Sequence, residues 1–182
     1  MRIISSYINL KITRIMAFSA YIMATCLLPY HASLADDMEE GFVEFKILTP
    51  EAALQMAKAA MQNCRDGGYQ ISVSVVDRFG VEQVFLKDRF ADTHTRETAF
   101  RKAWTAVSFR TSTAEMGELT KGDAELSGIR FINNVATVGG GLPVLSAGEL
   151  VAGIGISGAP GGDLDEKCAL AGIEDIADIL DF

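Results

Sequence analysis

The chemistry open to this chain centres on one histidine, His94. The sequence has two histidines, and the other, His31, lies in an N-terminal stretch with the features of a secretion signal. A single imidazole cannot build a multi-histidine metal cage or a pair of histidine acid/base catalysts. His94 can therefore act as one axial metal ligand, as one proton carrier, or only as a surface histidine at the start of a helix.

Basic side chains gather around His94 in an otherwise acidic chain. The sequence has 16 Lys and Arg against 24 Asp and Glu, yet the stretch from Arg78 to Arg110 has an excess of positive charge. As a set, the seven basic residues of this stretch could receive a small anionic ligand; they are Arg78, Lys87, Arg89, Arg96, Arg101, Lys102 and Arg110. Taken one by one, they are better explained as a solvated helix face with ordinary ion pairs. The acidic remainder disfavours nucleic acid and anionic membranes as partners.

Two glycine-rich stretches bear on ligand binding. Gly139, Gly140 and Gly141 can aim backbone N–H groups at an anion or leave room for a flat ligand, or they form only a flexible turn. The stretch 153–158 matches the dinucleotide-binding glycine pattern, but its isoleucines alternate with the glycines as in a strand. We therefore expect a strand whose missing side chains let another backbone approach closely.

The chain divides into three parts. Residues 1–35 are predicted to be a secretory signal peptide, because basic residues precede an apolar run from Ile15 to Leu28 and a small-residue cleavage site ends at Ala35. The apolar run is too short to span a bilayer comfortably, so we expect no stable membrane anchor. Residues 36–47 form an acidic N-terminal extension, and residues 48–182 form one domain. Cleavage near Ala35 predicts a periplasmic or secreted protein.

Two cysteines remain beyond the signal, Cys64 and Cys168, each within a predicted helix. An even pair in an exported protein favours a disulfide, which requires the first and last helices to pack side by side. Two buried free thiols are the alternative.

The pattern along the domain alternates helices with tight hairpins. It indicates an antiparallel α+β sheet flanked by helices. Ala99, Ala103 and Ala106 form a small-residue stripe on the central helix, and Asp163 with Glu166 reads as the capping box of the last helix. The predicted helices cover about 49–65, 95–109, 113–120 and 163 onward, and the predicted strands cover about 71–76, 81–87, 142–146 and 150–157, with short extended pieces in 129–138.

Four ordered motifs carry a family resemblance. They are Val75–Gly80, Arg101–Ala106, Gly139–Val144, and Val151–Gly158 with Asp165-Glu166. Together they resemble the GlcG/HbpS haem-binding (haem-degrading) domain family, which is related to the C-terminal domain of PduO-type adenosyltransferases. The resemblance covers about Leu48 to Leu180. It implies a profilin-like α+β fold with a central antiparallel sheet of about five strands flanked by helices, and assembly into a homo-oligomer.

The resemblance also implies an exported haem-binding protein with haem b as its cofactor, acting in redox-linked haem sequestration or slow haem degradation. The family fixes no axial ligand at one position, so His94 is inferred from chemistry as the iron ligand, with Tyr69 and Met116 as weaker alternatives. Arg101, Lys102 and Arg110 would pair with the haem propionates.

Other readings stay open at this stage. The partner is haem or another flat anionic small molecule. A small-molecule enzyme using His94 and Arg101, or a ligand-free oligomeric sensory or accessory protein, fits the same residues. Lys102 can equally serve only in helix packing. The chain is better suited to binding than to catalysis, because it has no recognisable nucleophile beside its one histidine.

Overall fold

The computed structural model describes residues 41–181. The predicted signal peptide with its cleavage site at Ala35 and His31, and residues 36–40 of the acidic extension, therefore lie outside the described residues. The chain divides into residues up to Glu44 and a compact unit that begins at Phe45. None of the helices in residues 41–181 is long and apolar enough to cross a membrane.

The described part of the chain contains a four-stranded antiparallel sheet. The strands are β1 (Ser72–Asp77), β2 (Glu82–Lys87), β3 (Gly141–Ser146) and β4 (Glu149–Ser157), in the order β2-β1-β4-β3. The predicted α+β class is confirmed, with four strands rather than about five in the described residues.

Helices cover both faces of this sheet. They are α1 (Pro50–Asp66), α2 (Thr95–Phe109), α3 (Thr113–Leu119), α4 (Gly162–Asp175) and α5 (Ala177–Leu180), with a 3-10 helix at Glu125–Phe131. α1 begins as predicted, because the Thr49 hydroxyl accepts a hydrogen bond from the Ala52 amide at 3.2 Å. α1 and α4 pack together on one face, and α2 packs on the other face against β1, β3 and β4.

The main core lies between the sheet and the α1–α4 pair. Met56, Ile154 and Ile156 are fully buried there, and the disulfide between Cys64 and Cys168 joins the two helices with a Cα–Cα distance of 5.5 Å. The bridge connects positions 104 residues apart in sequence. In the chain-entropy model, such a loop stabilises the fold by about 3–5 kcal/mol.

On the opposite face, α2 lies directly on glycines of β4. A methyl group at Gly153 would lie 2.8 Å from the Ala103 carbonyl oxygen, and one at Gly155 would lie 2.6 Å from the Ala103 amide nitrogen and closer still to the Ala99 carbonyl oxygen. Ala99 and Ala103 are themselves fully buried. The interpretation of this stretch as a strand that admits a close backbone is therefore confirmed.

The short extended pieces predicted in 129–138 form no strand in the described residues. The segment begins within the 3-10 helix and continues as irregular chain that pairs with no described strand. Two of its backbone groups bond to α2 instead: the Thr105 hydroxyl accepts from the Ala136 amide at 2.9 Å and donates to the Asn134 carbonyl oxygen at 3.3 Å. Asn134 also has φ of 69°, which does not suit a strand.

The capping box at the last helix is also wrong. α4 begins at Gly162 with Gly161 as N-cap, two residues before the predicted N-cap. The Gly161 carbonyl accepts hydrogen bonds from the Leu164 and Asp165 amides. Asp163 makes no side-chain cap there.

We predict that Gly155→Ala lowers the free energy of unfolding by about 3 kcal/mol, because the added methyl overpacks the contact between α2 and β4. Gly128→Ala is the matched control, since Gly128 has open space around its Cα and an ordinary φ. Urea unfolding of the two variants measures the difference. Equal stabilities would show that α2 can move off the strand at no cost.

Candidate functional site

His94 lies at the N-cap position of α2 and is exposed. Its backbone carbonyl accepts hydrogen bonds from the amide and the hydroxyl of Thr98, at 3.1 and 3.0 Å. Its imidazole forms no hydrogen bond or ion pair within residues 41–181, so both ring nitrogens are available. The backbone thus fixes the position of a side chain whose own donor and acceptor are unused.

The imidazole borders an open cleft of about 450 Å³. This volume is within the range of small-molecule and cofactor sites. One wall is the start of α2, and the other is the loop from the end of β4 to the start of α4. The cleft is lined by Asp92, His94, Thr98, Lys102, Val138, Ser157, Gly158, Ala159, Pro160, Gly161, Gly162 and Asp165. We refer to it as the His94 cleft.

A buried ion pair forms the floor of the His94 cleft. The Lys102 ammonium donates hydrogen bonds to Asp165 Oδ2 and to the Ile156 carbonyl, each at 2.8 Å. The other oxygen of Asp165 accepts from the Ala159 amide at 3.0 Å. The side chains of Lys102 and Asp165 are only 2% and 5% exposed. The pair therefore ties α2 and α4 to the loop that forms the opposite wall.

Burial raises the pKa of the Asp165 carboxyl above its ordinary value, because removal from water outweighs the attraction of the Lys102 ammonium and the hydrogen bonds from Lys102 and Ala159. The nearby charge of Asp163 acts in the same direction as burial. The charge of the Asp165 carboxylate is compensated at the cleft floor by the Lys102 ammonium. Removing either partner would leave the other charge buried alone.

The three predicted glycines lie beside this pair. Gly140 has φ of 113°, and a methyl there would lie 2.6 Å from Asp165 Cβ and 3.0 Å from Lys102 Nζ. The Gly141 amide donates to the Thr113 hydroxyl at 2.8 Å, so it is not open to an anion. Gly139 contacts the backbone of Gly162. The glycines therefore let backbone pack against the ion pair.

The structure does not bring the predicted arginines to the His94 cleft. Arg101 forms a salt bridge with Glu97 at 2.8 Å and is absent from the cleft lining. Arg110 is the C-cap of α2, at the opposite end from His94. Sixteen residues of helix separate them by roughly 24 Å at the rise of an α-helix. Of the predicted site residues, only His94 and Lys102 line the cleft among the described residues. Gly140 lies beside Lys102 but, like Gly139 and Gly141, is not part of the cleft lining.

A second groove, of about 610 Å³, adjoins the His94 cleft. Val138 and Gly162 line both. The second groove runs between α3, the chain around 121–130 and the start of α4. Its charged lining residues are Glu118, Lys121, Arg130, Asp163, Glu166 and Lys167, and the remainder are Ala114, Gly117, Thr137, Val138, Gly139, Gly162 and Leu170. We call it the α3–α4 groove.

Sequence reasoning missed the role of Asp165. The position of Lys102 could have indicated a buried ion pair. Lys102 lies on the same helical face as the small-residue stripe of Ala99, Ala103 and Ala106, which is expected to be buried. A buried lysine needs an anionic partner. The partner itself lies 63 residues further along, at a separation that the sequence pattern does not reveal.

Comparison with known proteins bears on the whole unit. The sequence profile of the "Haem degrading protein HbpS-like" family matches residues 48–174. The chain is 35% identical over 106 residues to the corrinoid adenosyltransferase PduO of Salmonella typhimurium strain LT2, which covers 57% of this chain and 32% of that protein. The chain thus spans about a third of the length of this curated relative.

Two solved structures share the fold. A double mutant of HbpS from Streptomyces reticuli has a TM-score of 0.70 and 38% identity, covering 74% of this chain and 90% of its own. A PduOC:haem complex has a TM-score of 0.68 and 32% identity, covering 71% and 95% respectively.

We predict that Lys102→Met destabilises the fold by about 3–5 kcal/mol at neutral pH, because it strands the Asp165 carboxylate in the interior. The pKa of Asp165 is raised in the folded state, so its protonated form favours folding and that stability is lost as the pH rises through the folded pKa. The penalty should therefore shrink as the pH falls from neutral toward the ordinary value of 3.8.

Urea unfolding over that pH range measures the effect. Lys58→Met is the matched control, because Lys58 is exposed on α1. The double change Lys102→Met with Asp165→Leu should recover most of the lost stability. A penalty that stays constant with pH would contradict the assignment of the stranded charge.

Proposed function

The chain belongs to the haem-degrading HbpS-like family, and from this membership we propose that it binds haem b at the His94 cleft. The observation that carries the proposal is the exposed imidazole of His94, which borders a cleft of cofactor size and has no partner among the described residues. The likeness to a solved complex of PduOC with haem supports the same ligand.

The residues present fit a haem. A neutral imidazole is a strong ligand for haem iron, and His94 offers one at a backbone position fixed by Thr98. Met116 is buried, at 3% exposure, and does not line the cleft. Lys102 and Asp165 would hold the cleft walls rather than contact iron. When bound, haem would supply an iron centre able to exchange electrons.

The open shape of the cleft supports a sequestering role in which bound haem stays within reach of small oxidants. We extend the proposal to redox-linked sequestration, or slow oxidative breakdown of the bound haem. The alternative function, an enzyme that uses His94 with Arg101, lacks a common site for the two residues. Arg101 forms a salt bridge with Glu97 and does not line the cleft.

We also propose that the protein is exported and assembles as a homo-oligomer. The disulfide between Cys64 and Cys168 supports export, since such bridges persist in oxidising compartments. Self-association is what the family resemblance implies, and membership of the HbpS-like family supports that part of the proposal.

We predict that hemin added to the protein produces a shifted Soret band, and that His94→Ala weakens hemin binding about 10-fold or more through loss of the iron ligand. Absorbance titration measures both. Met116→Leu and Tyr69→Phe are the controls and should bind as the unchanged protein does. An unchanged spectrum in His94→Ala would remove His94 as the ligand, whereas a free-hemin spectrum with the unchanged protein would favour a ligand-free sensory or accessory role.

We predict that expression of the full chain in a Gram-negative host yields a periplasmic protein that begins at residue 36. Intact-mass measurement of the periplasmic fraction gives the cleavage site, and the mass also shows whether the disulfide has formed. Retention of the whole chain in the cytoplasm would contradict export.

A further inference from the structure

The His94 cleft by itself offers no unused cation to an anionic ligand. The charge of Lys102 is taken by Asp165, and Asp92 adds a carboxylate to the cleft lining. Haem b carries propionate carboxylates that need either solvent or a cationic partner. The chain must therefore place any propionate partner beyond the cleft itself.

The α3–α4 groove supplies such cations. Among residues 41–181, neither Arg130 nor Lys167 forms a salt bridge, whereas Lys121 in the same groove is paired with Glu118. The Arg130 guanidinium is already positioned: its Nε donates to the Thr120 carbonyl at 2.8 Å and its Nη2 to the Gly117 carbonyl at 2.9 Å. A guanidinium fixed in this way loses little conformational freedom when it binds a carboxylate.

The floor between the two sites suits a flat apolar ring. Val138, 57% exposed, and Gly162 line both the His94 cleft and the α3–α4 groove. Backbone of Gly139 contacts Gly162, and Leu170 is 46% exposed on the same groove. The His94 cleft and the α3–α4 groove therefore adjoin, and the residues they share offer glycine backbone and an aliphatic side chain.

Two carboxylates in the α3–α4 groove oppose an anion. Asp163 is exposed in the first turn of α4, where the helix dipole partly offsets its charge. Glu166 has a buried oxygen, Oε2, with no hydrogen-bond donor within the described residues. Neutralising Glu166 should therefore strengthen the binding of an anion in this groove, whereas neutralising Lys167 should weaken it.

We propose that Lys167 and Arg130 form the anion subsite for the haem propionates, so that the ligand extends from His94 across Val138 into the α3–α4 groove. This inference rests on the proposed haem binding. It replaces Arg101, Lys102 and Arg110, whose positions or ion pairs do not suit the role.

The test is a hemin titration of the full-length protein and its variants by Soret absorbance. Lys167→Gln should weaken hemin binding about 5-fold through loss of a charge-assisted contact at a partly exposed site. Glu166→Gln should strengthen it by about 2- to 3-fold, because it removes a like charge. Lys58→Gln, an exposed lysine on α1 outside both grooves, is the matched control and should leave binding unchanged.

Hemin dimethyl ester, which lacks the propionate charges, is the second probe. Both effects should disappear with the ester, because the groups that sense Lys167 and Glu166 have been neutralised. Equal effects on hemin and its ester, or a loss caused by Arg101→Gln with none from Lys167→Gln, would overturn the subsite. If the unchanged protein leaves the hemin spectrum that of the free compound, the proposed function itself fails and the subsite with it.

Discussion

The contact on which the candidate site depends is the buried ion pair between Lys102 and Asp165. Its few atoms join α2, the end of β4, the following loop and α4. A lysine and an aspartate taken out of water repay their desolvation only when the remaining lone pairs and protons also find partners. Ile156 and Ala159 supply those partners, so both sides of the cleft are held in fixed relation.

The position of Lys102 depends on the close contact of α2 with β4. Gly153 and Gly155 leave no side chains between β4 and the helix, and Ala99 and Ala103 present the matching small surface. Larger residues would raise α2 and carry the Lys102 ammonium away from Asp165. The packing of α2 on β4 therefore also sets the geometry of the ion pair at the end of the sheet.

Local sequence patterns predict part of this fold, and the long-range contacts account for the rest. The helices and the β1–β2 and β3–β4 hairpins follow from local patterns, and the strand interpretation of the 153–158 glycines needed only the alternation of glycine with isoleucine. The prediction of extended pieces in 129–138 failed because the Asn134 carbonyl and the Ala136 amide bond to the Thr105 side chain of α2 rather than to a neighbouring strand. Local patterns do not reveal such long-range partners.

The site was predictable to a similar degree. His94 could be singled out because only one histidine lies beyond the predicted signal, and Cys64 with Cys168 because only two cysteines do. Arg101, Lys102 and Arg110 were grouped by proximity in sequence, but along a helix such proximity distributes side chains over all faces and over more than 20 Å of length, about 1.5 Å per residue. The useful grouping is by helical face, and on that basis Lys102 belongs with the buried alanines.

An acidic chain that binds an anionic macrocycle must keep its own carboxylates from opposing the ligand. The structure does so at the cleft floor, where Asp165 is paired with Lys102, whereas Asp163 and Glu166 of the α3–α4 groove still oppose an anion. In the α3–α4 groove Glu118 is neutralised by Lys121, which leaves Arg130 and Lys167 without salt-bridge partners in the described part of the chain. Because an exposed ion pair is worth little by itself, most of the binding free energy would come from burying the ring on Val138, Leu170 and the glycine backbone. The cations would then decide how the ring is oriented rather than whether it binds, and His94 would decide which face of it is ligated.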